Sequence, residues 1–408
     1  MNRIAESYVK LALAVGQHDT DYVDAYYGPP EWRTEAEARK RPLPAIRSEA
    51  ETLIADLAAQ PPAAGDELVR LRHQYLLRQL QAMVSRIDIL AGKKLSFDEE
   101  SKALYDAVAP TQDAAHFQAI LDRLEAIVPG EPGDGPLAQR VEAFRQELAI
   151  PPARLDAVFT AAIDECRRRT LRHVELPPGE SFEVEYVTGK SWSAYNWYKG
   201  GFHSLIQVNT ELPIFIDRAI DLACHEGYPG HHVYNVLLEK HLMRDRGWPE
   251  YSVYPLFSPQ SLIAEGTANF GIEVAFPGEE RTAFERDKLY PLAGLDPAKA
   301  ARYAEVQKLV QGLGYAGNEA ARRYLNGEIS RQDAEAWMTR YALMSPERAV
   351  QRVRFMDQYR SYVINYNLGQ DLVRGYIESR GGTAGQPAKR WEEFVKLISS
   401  PRLPSGLK

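Results

Sequence analysis

The chain has 408 residues, 45% of them hydrophobic and 26% charged, and a formal net charge of −7. That length suffices to bury a large core. The acidic balance speaks against a nucleic-acid partner, because phosphate binding asks for a concentrated basic surface. The one basic cluster, Arg167, Arg168 and Arg169 with Arg172, lies in a helix-like segment and reads as a solvated face.

Two cysteines, Cys166 and Cys224, are too few for a disulfide framework, which points to a reducing compartment. Residues 1–19 lack the apolar stretch and small-residue cleavage site of a signal peptide, and no apolar run reaches bilayer length. The expected address is therefore cytoplasmic, with no membrane partner.

Residues 1–175 read as a helical N-terminal region. Ile4, Val9, Leu11 and Leu13 recur at helical spacing, as do Leu68, Leu71, Tyr75, Leu76, Leu80, Met83 and Ile87. Ser96 and Glu99 form the ends of a capping box that opens a further helix. Pro61-Pro62, the cluster Pro129-Gly130-Glu131-Pro132-Gly133 and Pro151-Pro152 read as helix–helix connections. Residues 176–408 read as a second region, and the two can equally form one continuous domain. Within it Phe182–Val187 alternates with period two and Ser204–Asn209 favours strand, with the aromatic segment Trp192, Tyr195, Trp197, Tyr198 and Phe202 between them. A small β-meander is expected there, its aromatics serving as packing. From Pro213 onward the chain reads as helical nearly to its end.

The segment His225-Glu226-Gly227-Tyr228-Pro229-Gly230-His231-His232 carries the chemistry. It resembles H-E-x-x-H with two extra residues. In a regular helix His225 and His231 would be separated by about 9 Å of rise and would leave one face. Pro229-Gly230 can break the helix and bring the second imidazole back. His231 is the preferred partner, because a glycine precedes it, and spacing alone leaves His232 as a competitor.

Catalytic zinc commonly takes three protein ligands and keeps one position open. Ser258-Pro259 opens an apolar helix in which Ser261, Glu265, Asn269 and Glu273 fall in one row. Glu265 is the expected third ligand, with Asn269 or Glu273 orienting a histidine. Glu226, directly after a ligand, is the expected general base, since zinc lowers the pKa of its water to ~7. Cys224 points to another helix face and reads as a small buried hydrophobe.

HEGYPGHH resembles the signature of the bacterial domain-of-unknown-function 885 family, which belongs with gluzincin-type metallopeptidases. Val208-Asn209-Thr210, Ala264-Glu265-Gly266 and Tyr366-Asn367-Leu368-Gly369 resemble that family's later landmarks, so the likeness spans about half the chain, from Phe182 to Gly369. Thr267-Ala268-Asn269-Phe270 stands where the family carries a Trp-containing stretch. The resemblance implies a mainly α (α+β) fold, a helical zincin with a small β-sheet edging the active-site cleft. It implies Zn²⁺ held by His225, His231 and Glu265, with Glu226 as base and Tyr366 as the phenol facing the oxyanion; Tyr362, one turn earlier, is a rival. It implies an edge strand at residues 204–209, including Asn209, along which a peptide pairs by its backbone. Arg354 or Arg360 would then bind a substrate carboxylate, favouring carboxypeptidase-like cleavage of short peptides. The same site chemistry suits a zinc hydrolase of a non-peptide amide or ester, and a metal site without activity would make a peptide-binding protein.

Overall fold

The computed structural model describes residues 1–62, 65–130, 133 and 135–407; Glu131 and Pro132 of the second Pro/Gly cluster lie outside them. Among the described residues the fold is mainly helical with two small sheets. The two strongest periodic segments are the helices Asn2–Val15 and Glu67–Leu90. Ser96 caps the helix Phe97–Tyr105 through a capping box: Glu99 N–H donates to Ser96 Oγ at 3.3 Å and Ser96 N–H to Glu99 Oε2 at 2.9 Å.

Two hydrophobic clusters form the interior, and neither is confined to one side of residue 175. One joins Tyr8, Leu80 and Phe97 to Phe257, Leu262 and Met356. The other joins Phe117, Phe144 and Val158 to Ile220, Phe270 and Phe394. Elements distant in sequence therefore share each core, which fixes the walls of the cleft between them.

The first sheet pairs β1 (Val23–Tyr26) with β5 (Val253–Pro255), antiparallel. Both strands are too short for alternation to register, and sequence reading took these stretches for helical regions. The second sheet holds β2 (Ser181–Val187), β3 (Ala194–Gly200) and β4 (His203–Asn209) in the order β2-β4-β3. It is not a meander: β2 runs parallel to β4, and β3 closes an antiparallel hairpin onto β4. The expectation of an edge at residues 204–209 is corrected accordingly. β4 is the central strand, with both sides already paired, and β3 is the strand whose residues line the cleft.

The cysteine reading is also corrected. Cys166, in the helix Leu155–Thr170, and Cys224 form a disulfide with 5.7 Å between Cα atoms. The two segments pack against each other, so two residues 58 positions apart meet. The argument for a reducing compartment loses its ground. Among the described residues no helix is long and apolar enough to cross a membrane. The basic cluster is engaged with carboxylates: Arg167 pairs with Glu180 at 2.6 Å, Arg168 with Glu165 and Arg169 with Glu165 and Glu280.

Candidate metal centre

The helix Asp217–Leu222 runs into a single π-helical turn, Ala223–Gly227, which carries His225 and Glu226. The chain then leaves the helix at Tyr228-Pro229 and resumes a helix at His231. Gly230 N–H donates to Cys224 O at 2.9 Å, which folds the break back onto the turn. A side chain at Gly230 cannot be accommodated there, since its Cβ would stand 1.9 Å from His225 O. The result is the return that a regular helix could not make: the rings of His225 and His231 are perpendicular, with centroids 4.6 Å apart.

His232 faces the other way. It is fully buried, with Nδ1 bonded to Ser204 Oγ at 2.9 Å and Nε2 to Glu180 Oε2 at 3.0 Å. Both nitrogens are thereby occupied.

The helix Pro259–Ala275 supplies the carboxylate. Its start is at Ser258-Pro259, but Ser258 does not cap it; the hydroxyl donates backwards to Pro255 O at 2.7 Å. Glu265 Oε2 lies 3.2 Å from His225 Nε2 and 3.6 Å from His231 Nε2, without the alignment of a hydrogen bond to either. Its other oxygen accepts from the Tyr362 hydroxyl at 2.7 Å. Burial pushes the Glu265 carboxyl up, and the facing imidazoles of His225 and His231 more than reverse this, holding it well below the usual carboxylate range.

Among the described residues Glu265 Oε2 is thus a buried acceptor without a hydrogen-bond partner, aimed between two imidazole nitrogens. Ligands 2.0–2.2 Å from a tetrahedral zinc stand about 3.3–3.6 Å from one another, and the two spacings from Glu265 to the imidazoles match this. The donor set of two imidazoles and a carboxylate suits the same ion. The three residues fit a zinc ion. Ligand-type atoms of His225, Glu226 and His231 also lie within 4.8 Å of one another, so a second carboxylate borders the same point. Glu226 is 5% exposed, and burial lifts its carboxyl to about 7, partly offset by His231.

The remaining residues of the polar row divide. Asn269 Oδ1 meets His225 Nδ1 at 2.9 Å and its amide donates to Tyr366 O at 3.2 Å, so it orients a histidine and ties it to the helix Ile364–Ser379. Glu273, expected as an alternative orienting group, instead accepts from Gln370 at 2.8 Å and from Arg374, a full turn away from any imidazole. Helices Pro259–Ala275 and Ile364–Ser379 cross at Gly266 and Gly369, where a Cβ on Gly266 would come within 2.4 Å of Gly369 backbone. This crossing lays Tyr362 and Tyr366 over Glu265. Tyr362 is committed to Glu265, whereas the Tyr366 hydroxyl has no hydrogen-bond partner among the described residues and lines the cleft.

Three other expected residues are not brought to the site. Arg360 is engaged by Glu100 at 2.7 Å. Arg354 is exposed and lines a neighbouring cavity of 1100 Å³. Asn209 spends its amide on Lys190 O and Trp192 O, both at 3.0 Å, and so pins the loop that leads into β3.

The cleft itself has a volume of 1380 Å³. Sequence reasoning missed several of its residues. Asn196 of β3 donates to Glu226 O at 2.7 Å, while its own Oδ1 is buried without a partner among the described residues. Asp24 of β1 accepts from Tyr195, and burial lifts its carboxyl to about 6. Arg352, two positions from the expected Arg354, faces the cleft. Helical spacing held that last signal, since Arg352, Phe355 and Tyr359 share a face that Arg354 does not.

No family model and no curated protein sequence matches the chain. Three solved structures are similar to it. A candidate lipoprotein from Colwellia psychrerythraea has a TM-score of 0.53 and 15% identity, covering 90% of this chain and 68% of its own. A candidate lipoprotein of unknown function from Shewanella oneidensis has a TM-score of 0.47 and 13% identity, covering 91% of this chain and 78% of its own. The M32 carboxypeptidase of Deinococcus radiodurans R1 has a TM-score of 0.46 and 12% identity, covering 95% of this chain and 87% of its own. The first likeness is one of fold alone, and the other two are looser still.

Proposed function

We propose that the chain is a zinc-dependent peptidase that hydrolyses peptide bonds in the cleft beside His225, His231 and Glu265. The observation that carries this reading is Glu265 Oε2, without a hydrogen-bond partner among the described residues, facing two imidazole nitrogens, with the Glu226 carboxyl alongside. A zinc ion held there supplies Lewis acidity to a carbonyl group and to water.

The protein's own groups do the rest. Glu226 accepts a proton from the attacking water and returns it to the leaving nitrogen as the C–N bond breaks. Tyr366 offers a free phenol to the oxyanion. Tyr362 and Asn269 hold Glu265 and His225 in place. The substrate backbone lies along β3, whose Ala194, Tyr195 and Asn196 line the cleft, a role that moves from the central β4. The peptide substrate and the likeness to the domain-of-unknown-function 885 family rest on the motif residues, which agree with this arrangement.

The test is a digest of a peptide library, read by mass spectrometry, with zinc-loaded wild-type protein and Glu226→Gln. Wild type is expected to cleave, and the variant to keep its zinc and lose about 10²–10⁴-fold in turnover. Equal cleavage by the variant would refute the mechanism, and no cleavage by either would refute the peptidase reading.

A further inference from the structure

The helix Pro346–Tyr359 forms one wall of the cleft, and Arg352 projects from it. Its guanidinium lies 4.8 Å from the Phe355 ring centre and 5.6 Å from that of Tyr366. Among the described residues it meets no hydrogen-bond acceptor and no carboxylate within ion-pair distance. Other cleft arginines are engaged. Arg218 pairs with Asp221 at 3.0 Å, Arg281 with Asp221 at 2.8 Å, Arg390 with Glu378 at 3.0 Å, and Arg348 donates to Pro213 O at 2.8 Å. Burial lowers the Arg352 pKa, and the Glu265 carboxylate offsets this only in part.

A half-buried guanidinium that lines a cleft and, among the described residues, has no paired carboxylate is placed to receive an anion. The planar fork of a guanidinium accepts a carboxylate through two parallel hydrogen bonds, and the two rings hold that fork in one orientation. Tyr366 connects it to the metal centre: its ring lies 5.9 Å from that of Tyr362, whose hydroxyl holds Glu265. An anion on Arg352 therefore sits beside Tyr366 in the same cleft as His225, His231 and Glu265. We infer that Arg352 binds the free α-carboxylate of a peptide and so directs hydrolysis to the C-terminal end of the substrate. This rests on the peptidase reading above, and it replaces Arg354 and Arg360 as the group that selects a terminus.

The test compares one short peptide as free acid and as C-terminal amide, using zinc-loaded protein. Wild type is expected to favour the acid by roughly 100-fold in kcat/KM, carried mainly by KM. Arg352→Gln should bring that ratio to within about threefold of unity, Arg352→Lys should leave an intermediate ratio, and Arg354→Gln should keep the wild-type value. Zinc content and far-ultraviolet circular dichroism report on folding of each variant. A wild-type ratio near one, or full discrimination retained in Arg352→Gln, overturns the inference. Calorimetric binding of the same two peptides separates it from the peptidase reading. Preference for the acid, lost in Arg352→Gln, upholds the anchor even if neither peptide is cleaved, and equal binding overturns it.

Discussion

His231 and His232 are neighbours with the same side chain, and the fold gives them opposite surroundings. One ring faces His225 and Glu265 in the cleft; the other is sealed between Ser204 and Glu180. Burial lowers the pKa of His232, with Glu180 pulling the other way. The unfolded chain, with a histidine near 6.5, then binds more protons than the folded one below that pH, so His232 contributes stability above about 6.5 that is lost as pH falls through it. Urea denaturation between pH 7.5 and 5 should give a steeper loss for wild type than for His232→Gln, by up to about 1.4 kcal/mol per pH unit. Equal slopes would contradict a buried neutral His232. At this scale the sequence made His225, Glu226, His231 and Glu265 legible, because their types and spacing already restrict the chemistry. The inward arginine was missed although its helical phase with Phe355 and Tyr359 carried the signal, whereas the engagement of Arg360 by the distant Glu100 could not be read from sequence.

The elements that build the centre each break a local rule. A π-helical turn and a Pro-Gly break return His231 to His225, and a glycine–glycine crossing brings the tyrosine-bearing helix down onto Glu265. Gly266→Ala should force those helices apart and cost about 1–3 kcal/mol. Chemical denaturation would read that loss, with weaker zinc retention expected alongside because Tyr362 moves off Glu265. An unchanged stability would mean the crossing has slack that the 2.4 Å approach denies. The helix break was readable because proline and glycine act locally. Strand order was not: the hairpin of β3 on β4 and the parallel pairing of β2 depend on what covers each edge, and that is a tertiary matter. β1 and β5, four and three residues long, carry too little pattern for periodicity to detect.

On the scale of the whole molecule, the Cys166–Cys224 link ties the helix Leu155–Thr170 to the residue preceding the first histidine. Two cysteines cannot announce their pairing from sequence, since their proximity is created only when those two segments pack. Closing a loop of 58 residues removes unfolded-state entropy, so reduction should lower stability by as much as about 4 kcal/mol. Denaturation midpoints with and without a thiol reductant measure this, and a Cys166→Ala/Cys224→Ala variant should be insensitive to the reductant. Identical midpoints for reduced and oxidised wild type would contradict a closed disulfide. The same packing makes one cleft from elements spread between Asp24 and Arg390, which is why most of its lining lay outside any motif.

The central claim is that His225, His231 and Glu265 hold one zinc ion and that His232 does not. It is tested most directly by zinc stoichiometry, measured by mass spectrometry of the metal after dialysis against zinc and removal of the unbound ion. The account predicts one zinc per chain in wild type and in His232→Gln, and a loss of at least about tenfold in affinity in His225→Ala, His231→Ala and Glu265→Ala. Wild type without zinc, or full retention in His231→Ala with loss in His232→Gln, would contradict it.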